Sequence, residues 1–344
     1  MQFCLSETNR KRKERDMSNL NVTMGRRAFV GAGLALVAAL AGCSNGNAGS
    51  GSTSAADYKI GVVQLVEHSA LDAANAGFVK AIEDSGLKVD IDQQNAQNDQ
   101  SAAQTIVSKF VSDNDSLIFA IGTPAAQAAA GATTDIPIVG TAITDFAASG
   151  LVASNDAPGG NVTGSSDLTP VAEQIDMLHK VLPNAKTIGI LFASNESNSE
   201  IQVEMAEETC KKLGLEPVRY SASSSNEVQS VTESMVGKVD AIYSPTDNTI
   251  AASAAQVGQI ARQNKIPFIA GEEGMFTAGE ALFTLSIDYE QLGYTAGEMA
   301  VKILKGEAKP ADMPIETMPQ DKLKTLKNEE VAKELGVDLS ALGE

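Results

Sequence analysis

A faint internal repeat constrains this chain more than any other feature of its sequence. Lys59-Ile60-Gly61-Val62-Val63 returns as Thr187-Ile188-Gly189-Ile190-Leu191, and Ser85-Gly86-Leu87 returns as Leu213-Gly214-Leu215. The stretch from Ile118 to Gln127, an apolar run that ends in Thr-Pro and opens a helix, matches Ile242 to Ala251, which ends in Ser-Pro-Thr. Asp135 to Gly140 (DIPIVG) matches Lys265 to Ala270 (KIPFIA). Four landmarks in one order at nearly constant spacing point to duplication or a shared architecture.

Each half reads as strands alternating with helices. Ile60–Val63, Leu117–Ile121, Ile136–Val139, Ile188–Phe192, Ala241–Tyr243 and Pro267–Ala270 are short, continuous apolar runs, the pattern of parallel strands buried on both faces. Between them lie amphipathic stripes: Phe78 with Val79 and Ile82, Ile106 with Val107 and Phe110, Ile175 with Leu178 and Leu182. This alternation predicts an α/β chain of two similar doubly wound parallel-sheet lobes.

In such sheets ligands gather beyond the carboxyl ends of the strands. The loops there are Gln64 to Ser69, Gly122-Thr123-Pro124 and Thr141 to Asp145 in one half. In the other they are Ala193 to Ser199, Pro245-Thr246-Asp247-Asn248 and Gly271-Glu272-Glu273. Nearly all are polar although apolar strands feed them, so a cleft between the lobes is expected.

Two chemistries are available in that cleft. Ser194, Glu196 and Ser199 precede or open a helix, and Thr123 with Pro124 opens another; free amides and hydroxyls at a helix start suit a carboxylate. Plain N-capping by the same residues is the competing reading. Asp145, Asp247 and Asp288 follow apolar segments and could pair with an ammonium group, or act only as caps and solvated acids. Gln64 and His68 follow the first strand, and Pro245 with Thr246 follows a strand of the second half. Phe192, Tyr243, Phe276 and Tyr289 could line an apolar pocket or serve only as core.

Other chemistries find little support. Glu67 and His68 form the one plausible acid–base pair, and His179 sits on a helix where it reads as structural. No HExxH, CxxC, Gly-x-Ser-x-Gly or phosphate-binding loop occurs, so neither catalysis, a metal nor a cofactor is expected. The absence of Trp weakens a sugar-binding reading, since sugar sites often stack a ring on an aromatic face.

The N-terminus reads as an address. Arg26 and Arg27 precede an apolar run from Ala28 to Leu40, too short for a membrane span, that ends at Leu40-Ala41-Gly42-Cys43. Cys43 is expected to be the lipidated first residue of the mature chain, followed by a Gly/Ser/Asn/Ala-rich tether. Met24 to Phe29 is compatible with twin-arginine export, and Sec export stays open. The basic cluster at residues 10–13 is read as sequence upstream of the true start at Met17 or Met24. Loss of residues 1–42 removes seven Lys/Arg against three Asp/Glu, taking the formal net charge from −18 to −22. A surface that acidic argues against nucleic acid as a partner. Only Cys43 and Cys210 then remain, which leaves no pair for a disulfide.

The segments Gln64 to Asp72 (QLVEHSALD), Ala120 to Ala129 (AIGTPAAQAA), Gly159 to Asp167 (GGNVTGSSD), Ser194 to Ser199 (SNESNS), Ser223 to Val228 (SSSNEV), Val239 to Asn248 (VDAIYSPTDN), Ile266 to Glu272 (IPFIAGE) and Ala300 to Gly306 (AVKILKG) together resemble one family. It is that of the ABC-transporter substrate-binding lipoproteins, whose characterised members include tryptophan and tyrosine binders. The resemblance runs from about Tyr58 to Leu339. It implies a type I periplasmic-binding-protein fold with a three-crossover hinge, a small ligand enclosed between the lobes, and no enzymatic activity. It also implies ABC permease subunits as partners and a monomer tethered outside the cell membrane through its lipid. An amino acid is the expected ligand, with its α-carboxylate and α-amino groups among Thr123, Asp145, Ser194, Glu196, Ser199 and Asp247. A sensor domain of the same fold, or a nucleoside or sugar ligand, is the alternative. The expected boundaries are 1–42 for the leader, 43–56 for the tether, 57–163 plus 286–307 for the first lobe and 164–285 plus 308–344 for the second. Relatives often carry Tyr-Asn-Ser-Ser-Glu where this chain has Phe192-Ala193-Ser194-Asn195-Glu196, a change that keeps the Ser194 hydroxyl and alters its neighbours.

Overall fold

The computed structural model describes residues 56–343; the leader, Cys43 and the tether up to residue 55 lie outside them. In the first half the chain forms β1 (Tyr58–Gln64), α1 (Ser69–Asp84), β2 (Val89–Asn95), α2 (Gln100–Ser112), β3 (Leu117–Ile121), α3 (Thr123–Ala132), β4 (Ile138–Ile143) and β5 (Val162–Ser166). The second half repeats the plan with α4 (Val171–Val181), β6 (Thr187–Ala193), α5 (Ser197–Lys212), β7 (Glu216–Ala222), α6 (Ser225–Met235), β8 (Ala241–Ser244), α7 (Asn248–Ala252), α8 (Ala254–Gln263), β9 (Phe268–Ala270), α9 (Glu273–Ala278) and β10 (Phe283–Ser286). The chain ends through α10 (Tyr289–Leu304), β11 (Glu316–Thr317), β12 (Lys324–Lys327) and α11 (Glu329–Leu335).

Two six-stranded sheets result, in the orders β11-β5-β4-β3-β1-β2 and β12-β10-β9-β8-β6-β7. All pairings are parallel except β10 with β12. Strand order reverses between β1 and β3 in one sheet and between β6 and β8 in the other, which opens a crevice at the carboxyl ends of those strands. This is the two-lobed, type I periplasmic-binding-protein-like α/β fold.

Alternate residues of the strands feed opposite faces. In the second sheet Ile188, Ile190, Phe192, Ala241 and Tyr243 enter one core, while Leu191, Ile242, Phe268 and Ala270 enter another. In the first lobe Phe78 of α1 stacks on Phe119 of β3 with ring centroids 3.6 Å apart. Full burial of each such ring contributes roughly 1.5–3 kcal/mol.

The chain passes between lobes at residues 167–170, 287–288 and 318–323, giving three crossovers. Residues 308–317, assigned to the second lobe from sequence, instead join the first. Glu316 and Thr317 pair with Ser165 and Ser166 of β5, and Thr163 Oγ1 donates to Met313 O over 2.8 Å. The reason is that β5 is an open edge whose backbone groups need partners. Helix α10 lies unusually close to α1: a Cβ at Gly77 would overlap Glu290 O, and one at Gly293 would overlap Ala74 O.

Candidate ligand site between the lobes

Four carboxylates crowd the space where the lobes meet. Glu196, Asp247, Glu272 and Asp167 are 2, 3, 2 and 6% exposed. Their elements bring them there from different directions: Glu196 starts α5 after β6, Asp247 caps α7 after β8, Glu272 caps α9 after β9, and Asp167 follows β5 on the first crossover. Asp167, Asp247 and Glu272 line an interlobe cavity together with His68, Thr144 and Asn198, and no lysine or arginine is among the residues lining it. The void is about 10 Å³, room for roughly one water molecule.

The lobes are closed on one another. His68 Nε2 meets Asn248 Oδ1 at 3.2 Å, Asn98 Nδ2 donates to Thr249 Oγ1 at 2.9 Å, Gln127 Nε2 to Ser197 Oγ at 3.3 Å, and Gln202 Nε2 to Thr144 Oγ1 at 3.2 Å. Helix α9 also reaches α1, where a Cβ on Gly274 would overlap Ser69 Oγ and stand 3.1 Å from Ala70 N.

The four carboxylates differ in how far their own chain satisfies them. Glu196 takes hydrogen bonds from the amides of Asn248 and Thr249, from Asn248 Nδ2, Asn198 Nδ2 and Thr249 Oγ1. Asp247 takes Ala193 N at 2.6 Å, Ser199 Oγ at 2.7 Å and Ile250 N at 2.8 Å. Glu272 takes the amides of Gly274 and Met275. Asp167 takes side-chain donors from two neutral hydroxyls alone, Tyr289 at 3.1 Å and Thr144 at 3.3 Å. Asp167 and Glu272 keep the most accepting capacity, and of the two Asp167 has the longer bonds.

Burial raises the proton affinity of Asp167, Asp247 and Glu272. The Asp167 carboxyl is pushed up to about 6 and that of Glu272 up to about 7, in each case chiefly by loss of water and against the hydrogen bonds just named. Asp247 is raised by burial and then by the charge of Glu196. Burial lowers the His68 imidazole and so favours its neutral form. A cavity that collects several acids and neither lysine nor arginine is built to receive a cation or a donor-rich polar group.

The residues expected from sequence divide into three groups. His68, Thr246 and Asp247 line the cavity, with Glu196 and Ser199 directly behind Asp247 and Asn248. Thr123 and Pro124 are buried at the start of α3, outside that lining, and the Thr123 hydroxyl, 1% exposed, has no hydrogen-bond partner. The others are placed elsewhere for local reasons. Gln64 braces its own loop through Val66 O and Asp72. Asp145 caps Ala148 and holds Asn155, and Phe192 alternates into the second-lobe core. Ser194 is exposed, and Pro245 is backbone packing against Gly271. Asp288 caps α10 and pairs with Lys324 at 2.8 Å, in a groove away from the cavity. Asp167, Thr144, Asn198, Asn248 and Glu272 were not singled out as site residues, and Tyr289 only as a candidate for an apolar pocket. Thr144, Asn198, Asn248 and Glu272 lie in the post-strand loops, which was the available signal. No group of metal-ligating side chains occurs among the described residues.

The family model for ABC transporter substrate binding proteins matches residues 59–341. The chain belongs to that family. A substrate-binding protein of this family is extracytoplasmic and serves an ABC transporter by binding a small ligand. Among its relatives, the tyrosine-binding protein of Clostridioides difficile (strain R20291) is 46% identical over 88% of this chain and 90% of its own. The ABC domain from Streptococcus pneumonia solved in complex with L-Trp is 39% identical, covers 83% of this chain and 98% of that one, and superposes with a TM-score of 0.80. A ligand-free, open substrate-binding protein with adhesive properties from Clostridium difficile is 49% identical over 82% of this chain and 95% of its own, yet reaches a TM-score of only 0.62. The lobes of this substrate-binding protein are thus arranged more like the ligand-bound relative than like the open one, although the open one is closer in sequence. No helix among the described residues is long and apolar enough to cross a membrane.

Proposed function

We propose that this substrate-binding protein captures a free amino acid, an aromatic one in the first instance, for an ABC importer, and holds it by its zwitterionic end between lobes that part beyond the one-water void of this closed arrangement. The observation that carries the reading is Asp167, a carboxylate buried at a crossover with only two weak hydroxyl donors. The ligand's ammonium supplies the charge-assisted partner it lacks. The ligand's carboxylate goes to the start of α3, where the unpartnered Thr123 hydroxyl and the positive end of the helix support it. The names of the tyrosine-binding and L-Trp-bound relatives support the ligand class.

Cys43, in its small-residue setting after Arg26, Arg27 and the apolar run, anchors the protein through lipid, and the tether lets the lobes reach permease subunits as a monomer. The deciding experiment is calorimetry and thermal-shift screening against amino acids, nucleosides and sugars. A ligand at a hundredfold over its dissociation constant raises stability by about 2.7 kcal/mol. Stabilisation by a nucleoside or sugar and by no amino acid overturns the reading.

A further inference from the structure

The hydrogen bonds around His68 have one consistent assignment. Asn248 Nδ2 lies 2.7 Å from Glu196 Oε2. An ionised carboxylate only accepts, so the amide nitrogen of Asn248 faces Glu196 and its oxygen faces the other way. That oxygen, Oδ1, is the atom 3.2 Å from His68 Nε2. Nε2 must therefore carry the proton it donates, which in a neutral imidazole leaves Nδ1 a bare acceptor. Nδ1 is buried and has no hydrogen-bond partner, and the ring that bears it lines the interlobe cavity.

A second buried acceptor without a partner, Asn198 Oδ1, lines the same cavity. Its own amide nitrogen is committed to Glu196 Oε2 at 3.1 Å, which fixes its orientation by the same logic. The cavity therefore lacks donors in two places besides Asp167. An unmet buried acceptor is costly, and a ligand that brings a proton to it removes the cost.

We propose that His68 is a specificity-determining residue of the site: its Nδ1 accepts a hydrogen bond from the side chain of the ligand, a phenol hydroxyl or an indole N–H, and so selects against aromatic amino acids that lack such a donor. The selection exists only in the closed protein. His68 precedes α1 in the first lobe and Asn248 belongs to the second, so the contact that fixes the tautomer forms when the lobes meet. A ligand with no donor leaves Nδ1 unpaired in the closed state and so favours closure less. This inference rests on the amino-acid reading above.

The test compares pairs of probes differing in one donor, on the full chain: L-tyrosine with L-phenylalanine, and L-tryptophan with 1-methyl-L-tryptophan. Wild type should bind the donor-bearing member of at least one pair roughly tenfold or more tightly. His68→Phe should collapse that ratio to within about twofold, whatever it does to affinity overall, and an unchanged far-ultraviolet circular dichroism spectrum reports that the variant is folded. Nitrogen-15 NMR of the wild-type imidazole gives an independent readout, since the chain has only two histidines. Nδ1 should be unprotonated in the complex and shift as a hydrogen-bond acceptor when the donor-bearing ligand is added. A ratio near one in wild type, a ratio that survives in His68→Phe, or a protonated Nδ1 in the complex overturns the proposal. A chain that binds none of the four amino acids removes the parent reading, and this inference falls with it; binding without discrimination removes this inference alone.

Discussion

Tyr289 donates its hydroxyl to Asp167 Oδ2 over 3.1 Å, and so ties the first crossover, where Asp167 lies, to the end of the second, where α10 begins. An acid with accepting capacity to spare is thus held by the two strips of backbone about which the lobes turn. A ligand bound to Asp167 touches the hinge itself.

Asp167→Asn keeps the shape of this side chain and removes its charge. Loss of one partner from a buried charge pair costs about 2–5 kcal/mol, so ligand affinity should fall by roughly 30-fold or more. The ligand-free melting point should hold or rise, because an uncompensated buried carboxylate has been removed. Calorimetry showing unchanged affinity would place the ammonium elsewhere.

The pH dependence follows from the raised acids. With Asp167 at about 6 and Glu272 at about 7 in the folded protein, folding holds protons that the unfolded chain has released. Both groups therefore cost stability progressively as pH rises from about 4, and the cost is complete above the folded values. Between pH 7 and 5 the gap in ligand-free melting temperature between Asp167→Asn and wild type should narrow. Ligand affinity moves the other way: a cation needs Asp167 ionised, so binding should weaken toward about tenfold per pH unit below about 6. Affinity that is flat from pH 7 to 5 contradicts the assignment.

Asp247 is committed to its own lobe. Truncation to Ala leaves Ala193 N, Ser199 Oγ and Ile250 N without their acceptor and removes the cap of α7. The expected loss is about 1–3 kcal/mol of stability, seen as an earlier denaturant midpoint in the ligand-free protein. The loss of affinity should be smaller than in Asp167→Asn; the reverse order would return the anchor to Asp247.

Gly274 packs directly against the first lobe at Ser69 and Ala70. In Gly274→Val the branched side chain meets Ser69 Oγ and the backbone at Ala70, contacts that exist only when the cleft is shut. Ligand affinity should fall roughly tenfold or more, at the small end of overpacking costs, and small-angle scattering should show a more open particle with ligand present. An unaltered melting point without ligand separates this effect from misfolding.

Lipid attachment is tested by growth with labelled palmitate. Wild type should take up label and Cys43→Ser should not, since the acyl chain supplies the membrane affinity at about 0.8 kcal/mol per buried CH₂. Equal labelling of both contradicts the anchor.

The legible parts of this fold were its apolar runs. β3, β6, β8 and β9 are continuous hydrophobic segments, and their positions follow from the repeat. β5 (VTGSS) and β10 (FTLS) carry too many hydroxyls to read as buried strands. β5 is buried because its hydroxyls find partners far away in sequence: Ser165 bonds Thr141 and Leu292 O, and Thr163 bonds Met313 O. That strand, unread in the sequence, is what delivers Asp167 to the cleft. His68, Thr246 and Asp247 were legible because the carboxyl ends of strands at a change of strand order form a crevice in any doubly wound sheet. Phe192 misled because strand residues alternate sides, and a strand-end aromatic faces the core as readily as the cleft.

The close seat of α10 on α1, made possible by Gly77 and Gly293, bears on the order in which the protein can be assembled. A chain emerging from its N-terminus completes β1 to β5 early, yet that lobe lacks its covering helix until residue 304 and its last strand until residue 317. By then β6 to β10 of the other lobe have also appeared. Domains usually fold one after another during synthesis, but here the earlier lobe must wait for the later one, and the newborn polypeptide stays unfinished until its final segments arrive.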